Sequence, residues 1–97
     1  MFSWFDATDA KGFGADLARF YVERIPADSG ANKKEFASKT KEVLDKMSLK
    51  VEKFKEANTL NTYKKAQLGN AFKWALRDSG YDTAYIDRLT SWLVTRI

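Results

Sequence analysis

The chain of 97 residues contains no cysteine and no histidine. Without cysteine there can be no disulfide, no thiolate nucleophile and no cysteine-based zinc site. Without histidine the chain lacks the commonest general base and the commonest metal ligand. We therefore expect no enzymatic activity, no cofactor and no bound metal. Small secreted domains usually depend on disulfides, so the absence of cysteine also favours the cytoplasm.

Proline and glycine are scarce, with one proline and five glycines. Such a composition favours long regular elements with short connections. The length fits a single domain over residues 1–97, and a hydrophobic content of 44% is enough for a core. No apolar run approaches the roughly 18 residues of a membrane span, and the first residues lack the cationic region of a signal peptide.

The first helix is predicted over residues 7–25, between an acidic start and the single proline. Asp6 is placed to cap its first turn. Gly12 falls on the solvent face, whereas Gly14 belongs to a stripe of small residues that would let another helix approach closely. A loop at these glycines that delays the helix to Ala15 is the alternative. The apolar face of this helix is formed by Phe13, Leu17, Phe20, Tyr21 and Ile25.

A second helix is predicted over residues 32–57, opened by a capping pair of Asn32 and Glu35. Leu49 projects to the side opposite its apolar face. That face covers about 100° and contains Phe36, Val43, Leu44, Met47, Val51 and Phe54.

Helices over residues 62–79 and 83–97 complete the prediction. Between them Gly80 can adopt the left-handed conformation that ends a helix, which would bring Tyr81 against Leu76. Asp82 is placed to cap the last helix. The third helix buries Leu68, Ala71, Phe72, Ala75 and Leu76, and the fourth has a wide apolar arc of Tyr85, Ile86, Leu89, Trp92, Leu93, Val94 and Ile97.

Four helices of comparable length joined by short connections predict an all-α fold, an antiparallel up-down-up-down four-helix bundle. The aromatic residues Phe2, Trp4 and Phe5 precede the first helix. Because three exposed large aromatic side chains would promote aggregation, we expect them to cover an end of the bundle. Contact with a partner or a membrane is the alternative.

Some apolar side chains remain outside the four predicted core faces. Trp74 lies at the edge of the third helix, nearly in line with Tyr63 and Gln67, whereas Leu49 and Val94 project from other helices. Aromatic residues are typical anchors of protein interfaces. These five residues form a candidate partner surface. The sequence thus predicts a non-enzymatic protein-interaction or self-association module, unless other parts of the chain cover them.

A basic character offers a second interpretation, because the net charge is +4. Four lysines project to one stripe of the second helix and could follow a phosphate backbone without reading bases. An ordinary solvated face is the alternative for this stripe. Asp6 and Asp9 are interpreted as residues of a helix start, where acidic side chains are favoured, and not as a catalytic pair. The candidate stripe for an anionic partner is Lys39, Lys46, Lys50 and Lys53.

Overall fold

A computed structural model describes residues 6–25 and 33–97. These ranges hold four helices: α1 (Thr8–Arg24), α2 (Lys33–Ala57), α3 (Thr62–Asp78) and α4 (Thr83–Val94). The four predicted helices are confirmed, and every predicted boundary is within one residue except the end of α4. Residues 2, 4 and 5, and the predicted capping residue Asn32, lie outside the described residues, as does the side chain of Glu35.

The turn between α3 and α4 has the hydrogen bonds of a Schellman motif. Gly80 has a positive φ of 91°. The Tyr81 amide donates to the Leu76 carbonyl and the Gly80 amide to the Arg77 carbonyl. The Asp82 carboxylate then accepts from the Ala84 amide at 3.2 Å and caps α4. Both predictions for this turn are confirmed, and the signals that carried them lie within seven adjacent residues, 76–82.

The two outer ends of the helical chain differ from the predictions in detail. Asp6 accepts a hydrogen bond from the Thr8 amide at 3.1 Å, although the residue at the N-cap is Ala7. At the other end α4 finishes at Val94. The amides of Arg96 and Ile97 both donate to the Leu93 carbonyl, so the last residues form a tighter turn. Ile97 still packs into the core from that turn.

Helices α1 and α3 approach each other most closely. A methyl group at Gly14 would lie 2.3 Å from the Leu68 carbonyl oxygen, so only glycine fits the contact. Ala10 and Ala18 are buried on the same side of α1, which confirms the predicted small-residue stripe. At the far end the Tyr81 hydroxyl donates to the Ile25 carbonyl. The start of α1 thus lies beside the start of α3, and the two helices run parallel.

Helices α2 and α4 run in the opposite direction to α1 and α3. Late in α4, Val94 lies beside Gly69, which comes early in α3. Phe13, early in α1, stacks on Phe54 near the end of α2, with ring centroids 4.2 Å apart. The Arg96 guanidinium also donates to Ser48 of α2 at 3.2 Å. The predicted up-down-up-down arrangement is therefore observed, with α1 and α3 in contact across the bundle.

The buried side chains of all four helices form one cluster, and the predicted apolar faces supply most of it. Trp92 packs against the edge of this cluster and is half-buried. Lys64 was not expected in the core, yet it is 5% exposed. The larger members of the cluster are Leu17, Tyr21, Ile25, Val43, Met47, Val51, Leu68, Phe72, Leu76, Ile86, Leu89 and Leu93.

Candidate functional site

Three tyrosines meet where the end of α1 faces the α3–α4 turn. The hydroxyls of Tyr21 and Tyr85 share a hydrogen bond, and Tyr81 donates to the Ile25 carbonyl. Burial raises the pKa of Tyr21 well above its usual range, and burial together with the nearby Tyr85 raises the pKa of Tyr81 to about 12. Raised values favour the neutral phenol, so neither the Tyr21 nor the Tyr81 hydroxyl is activated as a base or nucleophile. The cluster joins α1 to α4.

Trp74 is the large aromatic side chain that α3 leaves in solvent, with 55% of its surface exposed. The Arg77 guanidinium lies 5.1 Å from the centre of its ring. Gln67 and Tyr63 are half-buried along the same side of α3, and Tyr63 packs against the core. The three predicted α3 residues therefore share one stripe, which we call the Trp74 stripe.

The other two predicted surface residues lie elsewhere. Val94 is 54% exposed and sits beside Gly69, which is about 140° around α3 from Trp74. Leu49 is 65% exposed on α2, on the side opposite the buried Met47 and Val51. Both are accessible as expected. The structure groups Tyr63, Gln67 and Trp74, and it places Leu49 and Val94 on separate faces.

The four predicted lysines on α2 are all exposed. Lys46 forms an ion pair with Glu42 at 3.3 Å. Lys50 lies 4.8 Å from the centre of the Phe20 ring on α1. Lys50 and Lys53 therefore lie at the boundary between α2 and α1, a relationship that projection of α2 alone does not reveal.

An aromatic groove lies along this boundary and was not anticipated from the sequence. Its apolar surface comes from Phe13 and Phe20 of α1 and Phe54 of α2, all half-buried. The sequence placed these three residues on core faces. Phe13 and Phe20 lie at one margin of the α1 face, a signal that could have separated them from fully buried neighbours such as Leu17. The position of Phe54 on the α2 face gives no such signal.

The groove ends beside the first residues of α1, at a cleft lined by Asp6, Asp9, Asn58 and Lys64. A hydrogen bond from the Thr8 amide lowers the pKa of the Asp6 carboxyl, with a smaller contribution from the charge of Lys64. Asp6 is fully exposed and therefore charged at neutral pH. Two carboxylates, Asp6 and Asp9, accompany Lys64 at this end of the groove. At the other end two lysines, Lys50 and Lys53, accompany Asp16.

Residues 6–25 and 33–97 contain no group of three or more acidic side chains arranged to hold a metal ion. Over the same ranges, no helix is both long enough and apolar enough to cross a membrane. Comparison of the chain with models of protein families, with curated proteins and with solved structures found no match.

Proposed function

We propose that this chain is a non-enzymatic, cytoplasmic protein-interaction or self-association module. The observation that supports the proposal is the exposure of Trp74, whose ring is 55% accessible on the outer side of α3. A tryptophan in water leaves a large apolar area unburied, and tryptophan is enriched among the residues that dominate binding energy at interfaces. The lack of cysteine is the observation that supports the cytoplasmic part of this proposal.

The surroundings of Trp74 fit an interface anchor. Arg77 lies against its ring, and arginine and tryptophan are both common in interface centres. Tyr63 and Gln67 extend the stripe along α3 with polar groups at the edge of an apolar body. The packing of Tyr63 against the core holds one part of this surface in place.

Replacement of Trp74 by alanine tests this function. We expect Trp74→Ala to abolish concentration-dependent association in sedimentation velocity, or to abolish capture of a partner from a nuclease-treated lysate. The far-UV circular dichroism spectrum and the melting temperature should change little, because more than half of the side chain is already in water.

Leu49→Ala is the matched control, since Leu49 is even more exposed but lies on α2. Association that depends on Leu49 and not on Trp74 would move the interface to another helix. If Trp74→Ala unfolds the protein, the residue supports the core and the proposal fails.

Non-specific binding of nucleic acid through Lys39, Lys46, Lys50 and Lys53 is a second candidate. The observation in its favour is that all four lysines are exposed along one side of α2. Such binding would release counterions and weaken steeply with added salt. Anisotropy of a labelled single-stranded oligonucleotide at several salt concentrations tests it. Submicromolar affinity at physiological salt that is lost on changing the four lysines to glutamine would favour this function.

A further inference from the structure

The groove between α1 and α2 consists of three adjoining clefts. Its basic part is lined by Phe20, Lys50 and Lys53, and its acidic part by Asp6 and Asp9. From Thr8 to Phe20 the helix rises about 18 Å, which sets the length of the groove. That distance equals about 12 residues of helix or five to six residues of extended chain. The residues common to all three clefts are Phe54 near the end of α2 and Asn58 just after it, where the chain turns towards α3.

The groove exists because aromatic side chains separate the two helices. Phe13 and Phe54 stack with an interplanar angle of 6°, and they remain half-buried. Helix α2 reaches α1 at few backbone positions, in contrast to the close contact between α1 and α3. The space beside Phe20 has a volume of about 440 Å³, enough to receive several aliphatic side chains.

The charges along this path are ordered. Lys50 and Lys53 are exposed at one end, and Asp6 and Asp9 are exposed at the other. Asp16 of α1 also lines the basic part and pairs with the exposed Arg19 at 3.6 Å, and the buried Lys64 also lines the acidic part. A binding partner that follows the groove therefore meets Lys50 and Lys53 towards one end and Asp6 and Asp9 towards the other.

We infer that this groove binds a peptide segment of a partner protein whose charges run in the complementary order. Apolar side chains of the segment pack on Phe13, Phe20 and Phe54. A carboxylate at one end of the segment pairs with Lys50 and Lys53, and a lysine or arginine at the other end pairs with the acidic part of the groove. A nucleic-acid strand fits less well, because its phosphates repeat along its whole length and the acidic end would repel them. This surface is separate from the Trp74 stripe, so the two proposals stand independently.

Three synthetic peptides of about 12 residues test the inference. They share a leucine-containing amphipathic centre and differ only at their ends: acidic at one and basic at the other, acidic at both, or basic at both. Each is titrated into the full chain, with affinity measured by calorimetry and location by amide chemical shifts. We expect the peptide with opposite ends to bind most tightly and to shift the amides around Phe13, Phe20 and Phe54.

The double variant Lys50→Glu/Lys53→Glu should weaken that peptide about tenfold and make the peptide with two basic ends the tightest binder. Lys39→Glu/Lys46→Glu is the matched control, because it makes the same change of charge on the same helix outside the groove. It should leave the affinity within about threefold. Helical circular dichroism of both variants verifies that α2 remains folded.

Other results would overturn the inference. They are equal binding of all three peptides, equal weakening by both double variants, and shifts confined to residues outside the groove. A twelve-nucleotide oligothymidylate that binds more tightly than any peptide and shifts the same amides would identify a nucleic-acid site instead. A variant of the full chain with Phe2, Trp4 and Phe5 changed to serine is tested in parallel. Peptide binding that appears only in this variant would mean that the first residues of the chain occupy the groove themselves.

Discussion

At the scale of single residues, two glycines of α1 have opposite environments although they are two positions apart. Gly12 is exposed, and a methyl group there would meet no atom within 4 Å. Gly14 is buried, and a methyl group there would lie 3.2 Å from the Ala71 side chain as well as 2.3 Å from the Leu68 carbonyl oxygen. A backbone oxygen cannot move aside as a flexible side chain would.

The same substitution should therefore have opposite effects at these two positions. Gly12→Ala is expected to stabilise the protein by about 0.5–1 kcal/mol, because it restricts the unfolded chain and improves helix propensity. Gly14→Ala is expected to destabilise it by about 1–3 kcal/mol through overpacking. Urea unfolding followed by circular dichroism measures both. Destabilisation by Gly12→Ala would show that α1 does not include that position in solution.

Ionisation of Tyr81 should lower the stability of the folded protein at alkaline pH. Its pKa is raised to about 12, chiefly by burial, whereas a tyrosine in the unfolded chain titrates near 10. The folded state thus holds the proton more tightly. The corresponding stability is fully present below about pH 10 and is lost as the pH rises towards 12.

Comparison with Tyr81→Phe isolates this contribution, since every other titratable group is present in both proteins. At pH 8 the variant should be less stable by about 1 kcal/mol, because the hydrogen bond to the Ile25 carbonyl is lost. The difference should shrink between about pH 10 and 12 in urea unfolding. Tyr63→Phe, which removes a hydroxyl outside the cluster, is the control. A constant difference up to pH 12 would contradict the assignment.

At the scale of elements, the turn from α3 to α4 requires glycine at position 80 because of the backbone conformation there, and not because a larger side chain would lack room. Gly80 has a φ of 91°, and a methyl group there would meet nothing within 4 Å. Gly80→Ala should destabilise the protein by about 1 kcal/mol. Gly80→Asn should cost less, although asparagine is larger, because it tolerates the left-handed region. Thermal unfolding of both variants tests the order, and a larger loss for asparagine would point to crowding.

Helix α1 shows why a single apolar face is an incomplete description of an element. It presents a small-residue stripe around Gly14 to α3, and Phe13 and Phe20 to α2. Because α3 lies closer to α1 than α2 does, the α1 residues that face α3 are smaller than those that face α2.

On α3, Lys64 is buried one turn before Leu68. The helical periodicity places this position on the core face, whereas the charge of a lysine favours an exposed position. Its long aliphatic stem makes such a position tolerable.

At the scale of the whole molecule, the four helices differ in how closely they pack against their neighbours. Helices α1 and α3 touch through their backbones, whereas α2 reaches its neighbours mainly through side chains such as Phe54. Helix α2 is also the longest, and the molecule extends over 49 Å in one direction. Low contact density and an exposed outer face are typical of regions that open before the rest.

Native-state hydrogen exchange should show this difference. Amides in the middle of α1 and α3 are expected to exchange only through global unfolding, so their opening free energy matches that from urea. Amides of α2 should exchange through partial openings of lower free energy, with α1 and α3 intact. Equal opening free energies for all helices would mean that the bundle unfolds as one unit despite the looser contacts of α2.

The sequence alone determined the four helices, their order and their antiparallel course. These features follow from local or periodic signals: apolar spacing along each helix, the capping carboxylate of Asp82, the left-handed Gly80 and the short connections. It also identified Trp74 and Leu49 as exposed and Gly14 as a close contact. Such signals are readable because a helix repeats its environment every three or four residues.

Only the tertiary structure decided which helices touch and which surfaces join. It shows that α1 packs against α3, although the two helices are not consecutive, and that Val94 and Trp74 lie on different faces of the molecule. It also placed Lys50 beside Phe20, so that lysines of α2 and aromatic residues of α1 line the same groove. Periodicity describes the direction of each side chain around its own helix. The distance and rotation between two helices depend on how the side chains of both fit together, so they are settled only when the helices pack.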